Sequence, residues 1–428
     1  MKKYKIFAVI FMILMQTAVF TGCFDKRELD DMAYPVALGF DKGETNELRM
    51  TLQMAVPTNI SGGESGGGGE GEKSAIVITV DTPSIYSGLS MFNTFISKQI
   101  NMSHIKAIVF SKEIAQEGIS KYLHAMIRNR EFRPDASIIV SRESAEEFIN
   151  AVKPKLETNP AKYYELLLEG YRYTGFTTNT ELISFYKKSE SDSIQPIAVL
   201  AGVGKYKSSD EFDLSKSTYL ERSRNKPLEG DFKGGALPKV GGLDIETMGL
   251  AIFDGGKMVG ELDGEETTYH LMVEGKFNSM YFTMPDPLVE GHFIVLHVRR
   301  SRLTQKDVEM IGDKPKLITK VFLEADILSI QSGYNYESEE NIEILQSATE
   351  DYIREGIEKY LEKTVKEFKT DSNGFGNKMK SRFLTWQQWE EFDWPSKFKE
   401  STYEVEVDVK IRRPGLIVRT VHEARSNK

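Results

Sequence analysis

Cysteine is all but missing from this chain: its 428 residues include one, Cys23. No internal disulfide can form, and zinc motifs built on paired cysteines are excluded. Histidine is sparse, and the six residues His104, His124, His270, His292, His297 and His422 are scattered. The nearest pair, His292 and His297, falls on a strand-like stretch, where a spacing of five turns the two side chains to opposite faces. Positive charge is in deficit, with 55 Lys and Arg against 64 Asp and Glu. That balance argues against nucleic acid and against a broad electrostatic grip on anionic lipid. No Gly-x-Ser-x-Gly elbow occurs, and Gly202-Val203-Gly204 lacks the third glycine of a dinucleotide fingerprint. Lys73-Ser74 leads from a glycine-rich stretch into a strand, not into the helix a phosphate loop requires. Nothing singles out two of the 64 carboxylates as a glycosidase pair. The expectation is a chain that is not an enzyme, with no cofactor and no metal.

The N-terminus is more specific. Met1-Lys2-Lys3-Tyr4-Lys5 is cationic, residues 6–20 form an apolar run of 15 with Gln16 inside it, and Thr21-Gly22-Cys23 closes it. This is the order of a secretory signal, and the run falls short of the about 20 apolar residues that a membrane span needs. A lone cysteine at that position is expected to receive a diacylglycerol thioether, with residues 1–22 removed as the signal peptide of a lipoprotein. Phe20 stands where such sites usually carry leucine. Two acyl chains hold a protein on a membrane stably where one does not. Residues 1–22 carry three lysines and no acid, so the chain from Cys23 has a net charge of −12. Lipid, not a basic patch, is the expected membrane contact.

About 406 residues remain, too many for one core. Residues 23–200 read as an N-terminal α/β domain. Strands at 36–40 and 48–56 flank the turn residues 41–44, and residues 61–73 form a glycine-rich loop. A strand at 76–80 precedes a helix capped by Thr82, with Ile85, Leu89, Phe92, Ile96 and Ile100 on one face. Strands at 104–111 and 136–140 bracket a helix through 114–126, and a capping box at 144–147 opens another. Strand-helix alternation implies a sheet with packed helices and some parallel strands. Residues 201–275 read as a small middle domain with a hairpin about Asp254-Gly255-Gly256. Residues 276–428 hold alternating strands, a helix over about 339–369 stopped by Asn373-Gly374, and a strand through 403–411. The fold class is mixed α+β and α/β: three domains, each a mixed sheet with packed helices.

Trp386, Trp389, Phe392 and Trp394 form the one aromatic cluster. The first three share a helical face that Trp394-Pro395 ends. Packing on the last domain's core is one use for them; an exposed patch for a partner protein is the other, since Trp is enriched at binding hot spots.

Several segments, in order, resemble the Ger(x)C family, the C-subunit lipoproteins of spore germinant receptors. The resemblance starts at Cys23-Phe24-Asp25-Lys26-Arg27-Glu28-Leu29, with Phe24 in place of the family's Trp. It continues through Ser103-His104-Ile105-Lys106, Glu131-Phe132-Arg133-Pro134 and Gly249-Leu250-Ala251-Ile252-Phe253. Val259-Gly260-Glu261-Leu262-Asp263-Gly264-Glu265-Glu266 follows, then Asp371-Ser372-Asn373-Gly374-Phe375-Gly376 and Val407-Asp408-Val409-Lys410-Ile411-Arg412-Arg413. It implies a lipid-anchored, three-domain subunit on the outer face of the spore inner membrane, beside membrane-embedded A and B subunits of a nutrient receptor. The expected function is a scaffold or coupling subunit required for germination. The competing expectation, from the signal and the α/β content, is the solute-binding lipoprotein of an importer. That class needs two similar lobes, and the second half does not repeat the first.

Overall fold

The computed structural model describes residues 2–19, 31–56, 75–157, 159–204, 228–239 and 241–413. Cys23, the loop at 61–73 and most of the polar stretch at 207–242 lie outside them. The N-terminal apolar run is a helix, Lys2–Val19, with exposed side chains at 3–8 and 10–12. Among the described residues, no helix is long and apolar enough to cross a membrane.

The first sheet is built outward from short, wholly buried strands. In chain order the strands are β1 (Met32–Ala33), β2 (Pro35–Lys42), β3 (Leu48–Ala55), β4 (Ala75–Thr82), β5 (Gln99–Ile100), β6 (Ala107–Ser111), β7 (Ser137–Ser141), β8 (Ile197–Val203), β9 (Ile245–Asp254) and β10 (Lys257–Leu262). Eight of them pair in the order β10-β9-β8-β7-β6-β2-β3-β4, while β1 and β5 form a separate parallel pair. β2, β6, β7 and β8 run parallel. All five residues of β6 and of β7 are buried, because helices cover both faces. Leu38, Ile108 and Ile138 enter one core, and Ala37, Val109 and Ile139 the other. β9 and β10 close the sheet, so strands from the stretch read as a middle domain extend the N-terminal sheet.

Two boundaries depart from expectation. The helix read as running from Thr82 to Ile100 is Ile85–Phe92, capped by the Ser84 side chain, and Thr82 belongs to β4. Asn93 Oδ1 accepts from the Ile100 N–H at 3.1 Å, and the chain turns to place Gln99 and Ile100 beside β1. The helix through 114–126 is two, Lys112–Glu117 and Ser120–Arg128, broken at Gly118, whose φ of 123° a side chain would disfavour.

The C-terminal sheet follows the alternating pattern. β11 (Ser279–Pro285), β12 (Phe293–Arg300), β13 (Gln305–Ile311) and β14 (Lys314–Ile330) are antiparallel, and β15 (Thr402–Arg413) adds parallel to β14. Every second residue of β14 is buried from Pro315 to Ile327. The long helix, Glu339–Glu362, lays Leu345, Ile353, Ile357 and Leu361 on this sheet. Its Glu350 and Gln346 accept the Val409 and Ile411 N–H groups at 2.9 and 3.3 Å, which satisfies the otherwise unpaired edge of β15. The helix continues as a π-helical segment, Lys363–Phe368, and ends at the expected position, but the stop is Lys369 with φ 58° and not Asn373-Gly374. The fold is mixed α+β, as the alternating patterns imply.

Candidate functional site

The helix Gly264–Glu274 sits between the two sheets. Its Asp263–Glu266 capping box is complete, and Gly264 together with the seven residues from Thr267 to Val273 is buried. Ile197, Leu250, Ile252 and Leu262 of the first sheet therefore share one core with β14, the long helix and Trp394. The close approach of the two helices depends on Gly356, where a Cβ would overlap the Tyr269 ring.

Polar groups buried in this junction find partners across it. Tyr360, on the long helix, donates its hydroxyl proton to Asn373 Oδ1 at 2.6 Å, and Asn373 Nδ2 donates to the His270 carbonyl at 3.2 Å. The His270 Nδ1 lies 2.7 Å from the same hydroxyl. Nε2 faces Glu274 Oε2 at 3.4 Å. Complete burial pushes the His270 pKa down, so the ring is neutral. Burial opposes the charge on Glu274, but its contacts with His270, Lys188 and Lys276 outweigh it and hold the carboxyl well below the usual range. Lys188 comes from the N-terminal unit, on the helix Leu182–Ser189.

Asp371 anchors the second half of the junction. Its Oδ1 accepts from the N–H groups of Asn373, Gly374 and Phe375 at 3.2, 2.8 and 3.2 Å. Its Oδ2 accepts from Gly376 N at 2.7 Å and Trp394 Nε1 at 3.1 Å. Burial pushes this carboxyl pKa up while the Gly376 and Phe375 N–H groups and Lys306 push it back. A ring of donors with no acceptor favours the carboxylate. The Asp371 carbonyl accepts from Gln195 N at 2.7 Å, on the approach to β8, and Lys306 Nζ donates to the Asn373 carbonyl at 2.6 Å. Asp371-Ser372-Asn373-Gly374-Phe375-Gly376 thus ties β13, the long helix, the central helix and the first sheet together.

The N-terminal end of the central helix carries the other strained electrostatics. Tyr269 and Tyr352 donate to Glu265 Oε1 at 2.7 and 3.1 Å. Burial, with Asp231 alongside, raises the Glu265 pKa to about 7, and burial raises Asp263 to about 6. Glu266 pairs with Lys363, at the start of the π-helical segment, at 2.5 Å.

The four aromatic residues separate. Trp389 and Trp394 are buried, Phe392 packs against their core, and Trp386 is 58% exposed. Trp389 Nε1 donates to Asp192 Oδ2 at 2.6 Å, so it faces the segment leading into β8. The Lys380 ammonium lies 4.1 Å from the Trp386 ring centroid. His270, Tyr360 and Glu274 were not singled out by sequence. The 270/274 pair at helical i, i+4 spacing was the available signal, but neither residue stands out among six histidines and 64 acids. Among the described residues no group of three or more His, Cys, Asp or Glu is placed to hold a metal ion.

Comparison with known proteins matches both halves of this geometry. Residues 25–202 match the family model described as the spore germination protein N-terminal domain. Residues 248–415 match the model described as spore germination B3/GerAC like, C-terminal. The spore germination protein KC of Bacillus subtilis (strain 168) is 23% identical over 425 residues, covering 95% of each chain. The spore germination protein YndF of the same organism is 20% identical over 432 residues, covering 96% of this chain and 97% of its own. The crystal structure of the GerBC protein shares the fold with a TM-score of 0.52 at 14% identity, covering 87% of this chain and 96% of that one. Since the two family models take in more than half of its length, the chain belongs to the GerAC-like spore germination family, the Ger(x)C proteins.

Proposed function

We propose that this chain is the lipid-anchored, non-enzymatic C-subunit of a nutrient germinant receptor. Cys23 holds it at the outer face of the spore inner membrane, where it scaffolds and couples the membrane-embedded A and B subunits. The observation that carries the coupling role is the junction itself. The segments 259–266 and 371–376 supply buried groups that lock two sheets into one core, with Asp371 accepting from five donors. A buried, satisfied polar network specifies one arrangement and resists shear. Displacement of either sheet by a partner is then passed to the other. Two acyl chains at Cys23 would confine the subunit to a plane and raise its effective concentration toward membrane partners.

The test is an Asn373→Ala chain in spores, with its amount in the membrane fraction measured beside the nutrient response. A response reduced severalfold at normal protein level supports coupling through the junction. A normal response at normal level contradicts it. Tight one-site binding of an amino acid or sugar to the purified chain by calorimetry would favour the solute-binding reading instead.

A further inference from the structure

An apolar opening lies away from the junction, at the end of the first sheet where the chain enters the fold. It is a cavity of about 370 Å³, walled by Met32, Val36, Met54, Ile76, Ile96 and Ala161. A volume of that size is in the range of small-molecule sites. Polar lining groups are few: Tyr34 and His104, whose rings meet edge to face at 4.4 Å, with Ser97, Lys98 and Asn159. Lys98 is exposed and has no ion-pair partner among the described residues. Ile76 is 49% exposed, and Phe95, next to Ile96 in the chain, is 55% exposed. Apolar surface therefore continues outward from the mouth, a feature of interaction surfaces.

Position says what such a cavity meets. Met32 is nine residues from Cys23, so a fully extended chain keeps the cavity within about 30 Å of an anchor at that cysteine. A mainly apolar cavity lined by one lysine, without an ion-pair partner among the described residues, fits an amphiphile with a hydrocarbon tail and an anionic head. We propose that this cavity receives an acyl chain of an anionic bilayer phospholipid, with Lys98 meeting its headgroup. This rests on the reading that Cys23 is the membrane anchor. The captured lipid fixes the orientation of the first sheet on the membrane, which a flexible tether alone does not.

The experiment uses two forms of the protein. The first is the lipidated chain on phosphatidylcholine vesicles containing one-tenth phosphatidylglycerol with a photoactivatable diazirine in its acyl chain. The second is the mature chain from residue 23 made without lipid, probed with diazirine-bearing palmitate. The chain from residue 23 is the mature form that the proposed signal cleavage leaves. Light-induced adducts are mapped by mass spectrometry. Adducts concentrated on Met32–Val36, Met54 and Ile96 in both forms, and at least tenfold fewer in Ala161→Phe, support the proposal. Lys98→Glu should lower capture of palmitate two- to fivefold and leave capture of hexadecanol unchanged. Adducts spread elsewhere, or none in the unlipidated chain, overturn it. Labelling that appears only in Phe24→Ser or Leu29→Ser also overturns it, because the chain's own segment would then be the occupant. If Ala161→Phe fails to fold, the wild-type adduct map alone decides. Failure of the lipidated chain to stay on vesicles would count against the anchor, while the palmitate arm still reads the cavity.

Discussion

The Tyr360 hydroxyl stands 2.7 Å from His270 Nδ1, joining two helices through residues 90 apart in the chain. Both side chains are fully buried, and the same hydroxyl donates to Asn373 at 2.6 Å. One oxygen thus serves the central helix, the long helix and the loop after it.

Tyr360→Phe removes that oxygen without changing shape, leaving Asn373 Oδ1 without its donor and His270 Nδ1 without its nearest partner. The expected loss is about 1–3 kcal/mol of folding stability, the usual consequence of stranding a buried polar group. Urea denaturation of the unlipidated chain reads it. A midpoint unchanged from wild type would mean the network is not satisfied as described.

Asp371→Asn keeps the volume but aims an amide N–H₂ at groups that are themselves donors, Gly376 N–H and Trp394 Nε1–H. A loss of about 3 kcal/mol or more is expected, since charge-assisted bonds are replaced by donor–donor contact. Trp394 fluorescence should report the change as its indole loses its partner. Wild-type stability with an unshifted emission spectrum would contradict the carboxylate nest.

Acidity should stabilise the central helix. The folded-state pKa of Glu265 is raised from 4.5 to about 7 and that of Asp263 from 3.8 to about 6. The folded state therefore binds more protons than the unfolded chain in this window, and stability falls as pH rises from about 4 to about 7. The contribution is on the order of 1–3 kcal/mol, because the site is partly open to solvent. Glu265→Gln should flatten that part of the stability profile. A mutant profile parallel to wild type across pH 4–7 would remove Glu265 as its source.

The aromatic residues should divide by burial. Trp389→Ala empties a buried site and removes the bond to Asp192, with an expected cost of about 3–5 kcal/mol. Trp386→Ala, on an exposed side chain, should cost within about 0.5 kcal/mol. If Trp386 nonetheless slows germination in spores, it touches a partner. If it changes neither stability nor response, the exposed tryptophan is only surface.

Much of the framework was legible because the signals were local. Ser144 caps its helix by accepting from Glu147 N, and β15 alternates from Thr402 to Arg412 as the Val and Glu spacing implies. The errors arose where distant partners decided the outcome. Ile96 and Ile100 continue a helical period, yet the Asn93 bond to Ile100 and pairing with β1 end the helix at Phe92. Trp389 and Trp386 are indistinguishable by spacing, and Asp192, 197 residues away in the chain, decides which is buried. The junction was hidden for the same reason: His270, Tyr360 and Asp371 acquire meaning only after two sheets are brought together.

The central claim, that Cys23 holds this subunit where it couples membrane partners, is tested most directly by Cys23→Ala in spores. Membrane retention and the nutrient-triggered response are measured on the same preparation. Both are expected to fall together, with the protein recovered in the soluble fraction. A normal response from a soluble, unlipidated protein would contradict it.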